Sequence, residues 1–224
     1  MPSLVSCVMP TFNRRAFVPM AIKCFLAQDY PEIELIIVDD GTDRVADLIP
    51  NDPRIRYVPL EAKIKLGLKR NYANEQSKGE FIINWDDDDW SSPLRVTRQV
   101  QPMIDNPLIE LTGTSQIFYF TFGQPREKTL AYIYSSTSKP PWLGGIAYRR
   151  SVWERLRFDD GPRVGEDTRF QNQISIPARY DIKDPALFVA GVHRQNDSPK
   201  HTHGPGWGSI PALKVQQVFG AQLH

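Results

Sequence analysis

The chain has 224 residues, 41% hydrophobic and 24% charged, with a formal net charge of +1. That is an ordinary globular composition, long enough to bury a substantial core, and its near-neutral balance advertises neither a nucleic-acid nor a membrane partner. Cys7 and Cys24 sit in apolar runs and suggest neither a disulfide framework nor a zinc site. They read as small buried hydrophobes of a reducing compartment. No apolar stretch approaches the roughly 20 residues that cross a bilayer. Met1-Pro2-Ser3-Leu4-Val5 has no basic leader, so the expected location is cytoplasmic.

In chain order, residues 4–9 form an apolar run ended by Pro10, and 34–38, 55–58 and 81–85 form three more. All four predict strands. Phe17, Met20, Ala21, Cys24 and Phe25 recur at helical spacing, residues 66–77 hold good helix formers closed by Gly79, and 44–49 predict a weaker helix. Alternating strands and helices imply βαβ units and a mainly parallel sheet. The runs are apolar throughout, which implies strands covered on both faces. Beyond Asp89 the pattern changes. Residues 93–104 predict a helix with Pro93 near its first turn, 117–122 and 130–134 an aromatic strand pair, and 135–141 a polar loop. Short helices are expected at 151–156 and 168–173 and a late strand at 187–192. From Gln195 onward, Pro, Gly and His leave weak signals.

The densest chemistry is Trp85-Asp86-Asp87-Asp88-Asp89-Trp90. Two unit charges 4 Å apart repel by about 4 kcal/mol at an effective dielectric near 20, so such a run calls for counter-charge. Mg²⁺ or Mn²⁺ holding phosphates would supply it, since both prefer oxygen ligands. A solvated acidic loop is the plainer alternative. The run follows a strand, as do Pro10-Thr11-Phe12-Asn13-Arg14 and Asp39-Asp40-Gly41-Thr42-Asp43, and in a parallel sheet these loops share one rim. Neither a Gly-x-Gly-x-x-Gly fingerprint nor a Walker-type loop occurs. That excludes the usual dinucleotide oxidoreductases and P-loop ATPases.

These segments, with Gln28-Asp29-Tyr30-Pro31, Glu34 to Gly41, Arg70-Asn71 and Gly79-Glu80-Phe81-Ile82, resemble family 2 glycosyltransferases of the GT-A fold. The resemblance is dense from about residue 4 to 93. It implies an α/β chain: a single GT-A (Rossmann-like) domain over 1–224, a mainly parallel central sheet flanked by helices, and a small antiparallel acceptor-side region. Residues 1–93 would form the nucleotide-sugar half and 94–224 the acceptor half. The implied activity is metal-dependent, inverting transfer of a sugar from a UDP- or GDP-type donor to an acceptor hydroxyl, with Mn²⁺ or Mg²⁺ as cofactor.

By the same resemblance, Pro10 and Thr11 line the base and ribose pocket, Asp39 recognises the nucleobase and Asp40 neighbours it; a turn aspartate at a strand end is the alternative for Asp39. Asp86 faces the ribose and Asp88 ligates the metal, although Asp87 and Asp89 blur that register by one residue. Asn13 and Arg14 are donor contacts or helix-start residues. Arg70 and Asn71 match the family's donor-side pattern. Lys63, Lys65 and Lys69 could meet diphosphate or an anionic acceptor, or simply be solvated. Gly144-Gly145 followed by Gly165-Glu166-Asp167 resembles the acceptor-side motif, with Asp167 as general base and Glu166 orienting the acceptor. A base is needed because a sugar hydroxyl must lose its proton as it attacks; a plain acidic helix start is the alternative. Trp142 could stack on a sugar or belong to the core. His193 falls where some members place a histidine near the metal, and a structural role is the alternative. His201, His203 and His224 show no metal-site spacing. A nucleotidyltransferase would carry a glycine-rich loop after the first strand, which residues 10–15 lack; a non-catalytic nucleotide-sugar-binding module would not need Asp167. The acceptor stays open among saccharide, protein, lipid carrier and modified nucleic acid.

Overall fold

The structure, a computed structural model, describes residues 2–162, 165–196 and 202–219. The first half is β1 (Val5–Thr11), α1 (Val18–Leu26), β2 (Ile33–Asp39), β3 (Ile55–Pro59), α2 (Leu66–Gln76) and β4 (Phe81–Asn84). The second continues with β5 (Trp90–Ser91), α3 (Arg95–Asp105), β6 (Leu111–Thr114), β7 (Gln116–Phe120), β8 (Ala131–Ser135), β9 (Gly144–Arg149) and α4 (Arg150–Leu156). It closes with α5 (Glu166–Asn172), β10 (Arg179–Asp181), β11 (Phe188–Gly191), β12 (Trp207–Ile210) and α6 (Ala212–Phe219).

A seven-stranded sheet runs β10-β6-β9-β4-β1-β2-β3. β1 is parallel to β2 and β4, β2 to β3, and β10 to β6. Only β9 runs antiparallel to its neighbours β4 and β6. Successive side chains of a strand point to opposite faces, and both faces are packed here. Cys7, Met9, Leu35, Ile37, Phe81 and Ile83 join a core with α1, α3 and α6. Val8, Ile36, Val38 and Ile82 join another with α2, α4 and α5. Each such side chain contributes about 1.5–3 kcal/mol on burial, which explains why these strands are apolar without alternation.

A five-stranded sheet, β12-β8-β7-β11-β5, leans on the first core. Its β7–β8 pair is the antiparallel hairpin expected from the aromatic runs. Phe118, Phe120, Ala131, Ile133 and Val189 pack inward with Val215 and Phe219 of α6. The other face carries Ile117, Tyr119, Tyr132, Tyr134, Phe188 and Trp207.

Several elements differ from expectation. Residues 44–49 give only a 3₁₀ turn, Ala46–Leu48. β9 was unforeseen because it starts Gly144-Gly145, a poor strand signal, yet it sits mid-sheet, where its partners decide. β12 and α6 lie in the segment expected to be weakly structured. His201 and His224 lie outside the described residues. Among the described residues, no helix is long and apolar enough to cross a membrane.

Candidate active site

Parallel pairing brings the C-terminal ends of β1, β2 and β4 to one rim, with Thr11 opposite Asp39. Two adjoining clefts open there. The smaller, about 520 Å³, lies between the β1 loop (Pro10 to Arg14) and Lys63, Ile64 and Lys69. The Lys63 ammonium stands 3.4 Å from the centroid of Phe12, a cation–π contact. The larger, about 540 Å³, is bounded by Asp86 to Asp89, Arg70, Glu166, Asp167 and Gly144-Gly145. Pro10, Arg14 and Asp87 border both, so the clefts meet at the acidic run.

The four aspartates have four different environments. Asp86 is the exposed one, its side chain 41% accessible, and it accepts a 3.0 Å bond from Arg70 Nη2. Asp87 is buried and accepts a 2.7 Å bond from the Thr11 hydroxyl. Burial and the neighbouring Asp88 push its carboxyl up to about 7, against the opposing pull of Arg14 and Thr11. Asp88 Oδ2 accepts from Arg14 Nη1 at 2.6 Å and Asn196 Nδ2 at 3.2 Å, and lies 2.9 Å from His193 Nε2. Burial alone would raise its pKa, but the His193 hydrogen bond and the Arg14 charge hold it below the ordinary carboxylate range. Asp89 accepts from the Gly191 amide and joins the run to β11.

Among the described residues, no three His, Cys, Asp or Glu side chains are grouped to enclose an ion. Asp88 and His193 nevertheless form an adjacent oxygen–imidazole pair, a donor set that Mn²⁺ accepts and Mg²⁺ tolerates. Asp88 is kept ionised, and its Oδ1 accepts no hydrogen bond from a described residue. The pair fits an open site in which phosphate oxygens complete the shell. His193 is itself held by stacking on Phe17, with ring centroids 4.1 Å apart.

Arg70 ties the two halves together. It is buried, and besides Asp86 its Nε donates to Glu166 Oε1 at 3.1 Å. Among the described residues its Nη1 is buried without a hydrogen-bond partner, an unsatisfied donor on a side chain that lines the larger cleft. Gly165, at φ 83°, turns the chain into α5 and places Glu166 and Asp167 in the first helical turn. Burial and Glu166 push the Asp167 carboxyl up to about 6, with Arg70 and the Thr168 amide opposing. A carboxylate near 6 is a better proton acceptor than an ordinary aspartate, yet it is ionised at neutral pH. At Gly145, φ is 58° and an added Cβ would lie 2.4 Å from Phe188, so only glycine leaves the cleft open there.

Three expected donor contacts are placed otherwise. Asp39 is fully buried, with Gly41 N on Oδ1 and Val45 N and the Tyr57 hydroxyl on Oδ2; it holds the turn after β2 and lines neither cleft. Asp40 accepts from Ile64 N and pairs with buried Lys69, bracing the wall of the smaller cleft from behind. Asn71 accepts from Trp153 Nε1 and Phe158 N at 2.9 Å and donates to Phe158 O at 2.8 Å. It clamps α2 to the chain around α4. Asn71→Ala should therefore cost about 1–3 kcal/mol by orphaning these partners. Urea denaturation with nucleotide titration checks this: stability falls and donor affinity stays. Asn13 lines the smaller cleft, while its Oδ1 accepts from Asp43 N. Tyr119, Tyr134 and Trp207, which join Trp142 in lining the larger cleft, were missed as site residues. Trp207 stands among glycines in a segment with no periodic signal.

This parallel-centred α/β sheet, with carboxylates and cations on its C-terminal rim, has the GT-A fold of the glycosyltransferases it superposes on. The description Glycosyl transferase family 2 matches residues 6–159, and the chain belongs to that family. WcaA of Escherichia coli (strain K12) is 39% identical over 191 residues, 80% of this chain and 64% of that protein. The GalNAc(5)-diNAcBac-PP-undecaprenol beta-1,3-glucosyltransferase of Campylobacter jejuni is 38% identical over 210 residues, covering 88% of this chain and 67% of its own. The mannosyltransferase PcManGT of Pyrobaculum calidifontis, solved in complex with GDP-Man and Mn²⁺, superposes with a TM-score of 0.67 at 18% identity. That match covers 87% of this chain and 59% of PcManGT. The chain thus spans roughly three fifths to two thirds of the lengths of these proteins.

Proposed function

We propose that this chain is a metal-dependent, inverting glycosyltransferase using a UDP- or GDP-type sugar donor. The observation that carries the reading is that the two clefts meet at the acidic run, with Asp167, a carboxylate of raised pKa, lining the larger one. In this reading residues 1–93 hold the donor, 94–224 the acceptor, and 1–224 act as one domain. The nucleoside occupies the smaller cleft between Pro10-Thr11 and Ile64, with Phe12 and Lys63 on its wall, and Asp86 faces the ribose. Asp88 and His193 would hold Mn²⁺ or Mg²⁺, which when bound neutralises charge on the departing diphosphate. Arg14 lies on Asp88 and Arg70 on Asp86, so both cations stand where that charge develops.

Asp167 takes the proton from the attacking acceptor hydroxyl as it approaches the anomeric carbon opposite the leaving group. Glu166, fixed by Arg70, orients that hydroxyl. One base and one in-line displacement give inversion. A second displacement would need a nucleophilic side chain at the donor's anomeric carbon.

The metal role is tested at Asp88. Calorimetric titration of UDP and GDP should show binding that tightens at least about tenfold with Mn²⁺, which corresponds to about 1.4 kcal/mol. Asp88→Asn should lose that increment. Full activity of the native protein in excess chelator would remove the metal from the reading.

A further inference from the structure

We infer that the aromatic face of the second sheet is a platform for an oligosaccharide acceptor, with Trp207 and Trp142 as its stacking faces. The inference rests on the glycosyltransferase reading and gives its acceptor a chemical class.

The platform arises from strand register. Ile117, Tyr134 and Trp207 are direct cross-strand neighbours on β7, β8 and β12, so their side chains share one face. Tyr134 lies 5.1 Å from Trp207 and 6.2 Å from Trp142, centroid to centroid, and Tyr119 lies 4.6 Å from Trp207. The opposite face of the same sheet is packed against α6 and the first core. This face instead borders the larger cleft, on whose rim Asp167 also stands. Tyr134, Trp142 and Trp207 remain partly exposed.

Their polar tips are equally informative. Buried Trp and Tyr side chains usually find a hydrogen-bond partner. Trp85 donates to Ala21 O and Trp153 to Asn71 Oδ1. Among the described residues, the indole N–H groups of Trp142 and Trp207 and the Tyr134 hydroxyl have none, and they are not among the buried unpaired groups, so these tips open to solvent where a ligand can reach them. Flat apolar faces with unengaged donors at their rims match a pyranose, which has an apolar C–H face and a rim of hydroxyls. Trp142 and Trp207 each lie one ring-to-ring step from Tyr134, so the wall offers two indoles, one for each of two linked sugar residues. Nucleobases also stack on aromatics, but their phosphate backbone would have to run beside Asp86, Glu166 and Asp167, whose charge repels it.

The experiment is saturation-transfer NMR with titration of tryptophan fluorescence, on the native protein with Mn²⁺ and UDP or GDP. Cellobiose, lactose and N,N′-diacetylchitobiose are the probes; N-acetylglucosamine is the single-ring control and a short oligothymidylate the nucleic-acid control. At least one disaccharide should bind tenfold or more tighter than the single ring. Trp207→Ala and Trp142→Ala should each weaken it at least tenfold, with nucleotide affinity retained as the sign of an intact fold. Trp207→Phe, which keeps a packing ring, should retain most of the binding and guards against a folding artefact. A second arm places the bound disaccharide on a short prenyl diphosphate. Tighter binding there assigns the saccharide to a lipid carrier, and equal binding to a free glycan. Nucleotide binding without any disaccharide binding, disaccharide affinity unchanged in both alanine variants, or preference for the oligothymidylate would overturn the platform alone. Absence of nucleotide binding would instead overturn the glycosyltransferase reading.

Discussion

Asp167→Asn is expected to slow sugar transfer by about 10²–10⁴, the usual scale for a lost general base, while donor affinity stays unchanged. The substitution keeps size, and the asparagine oxygen can still accept the 2.7 Å bond from Thr168 N. Turnover of the native enzyme should fall as pH drops through about 6, because burial and Glu166 raise this carboxyl and the base must be ionised. The same shift has a consequence for stability with a definite sign. The folded carboxyl titrates near 6 and the unfolded one near the ordinary value of 3.8. The unfolded state therefore loses its proton first. The fold is destabilised progressively as pH rises from about 4 to 6, and the penalty is complete above that. Asp167→Asn removes this penalty. With the group only partly buried, the expected gain is about 1–2 kcal/mol at neutral pH. Chemical denaturation at pH 5 and 7.5 should show the larger gain at the higher pH. Near-native turnover in the variant would favour a binding module or another base.

Arg70→Met should destabilise the protein by about 3–5 kcal/mol, the cost of removing one partner from a buried ion pair. Glu166 would be left buried with no cation on its carboxylate, and Asp86 would lose its 3.0 Å partner. Arg70→Lys retains the charge but not the fork that reaches both carboxylates at once. It should fold, and its acid limb should stay close to the native one, because it is the charge of Arg70 that lowers Asp167 against burial and Glu166. Arg70→Met, which removes that charge, should move the limb to higher pH. Urea denaturation reads the first effect and pH–rate profiles of the two variants the second. An unshifted limb in Arg70→Met would detach Arg70 from the base.

The contrast between Asp88 and Asp39 shows what sequence could and could not disclose. Four consecutive carboxylates after an apolar strand announce a rim site whatever their register. Only the fold reveals that Thr11 takes Asp87, that Arg14 and His193 take Asp88, and that Asp86 alone faces solvent. Asp39 looked equivalent in sequence, at a strand end two residues before a glycine. Its carboxylate is consumed by two amides and Tyr57, partners that lie 2, 6 and 18 residues away and leave no local trace. The hydrogen bonds of Asn71 were invisible for the same reason, since Trp153 and Phe158 are more than 80 residues distant. The parallel sheet itself was legible because strands covered on both faces must be apolar throughout. β9 and β12 were not, because their glycines suit close packing and turns rather than strand preference.

The central claim is tested most directly by NMR observation of the sugar first released when α-linked UDP- and GDP-sugars are incubated with the protein and Mn²⁺, water serving as acceptor. The account predicts that one donor is hydrolysed, that hydrolysis ceases on chelation, and that the β-anomer appears first, with the α-anomer following only by mutarotation. Initial release of the α-anomer, or hydrolysis indifferent to the metal, would contradict it.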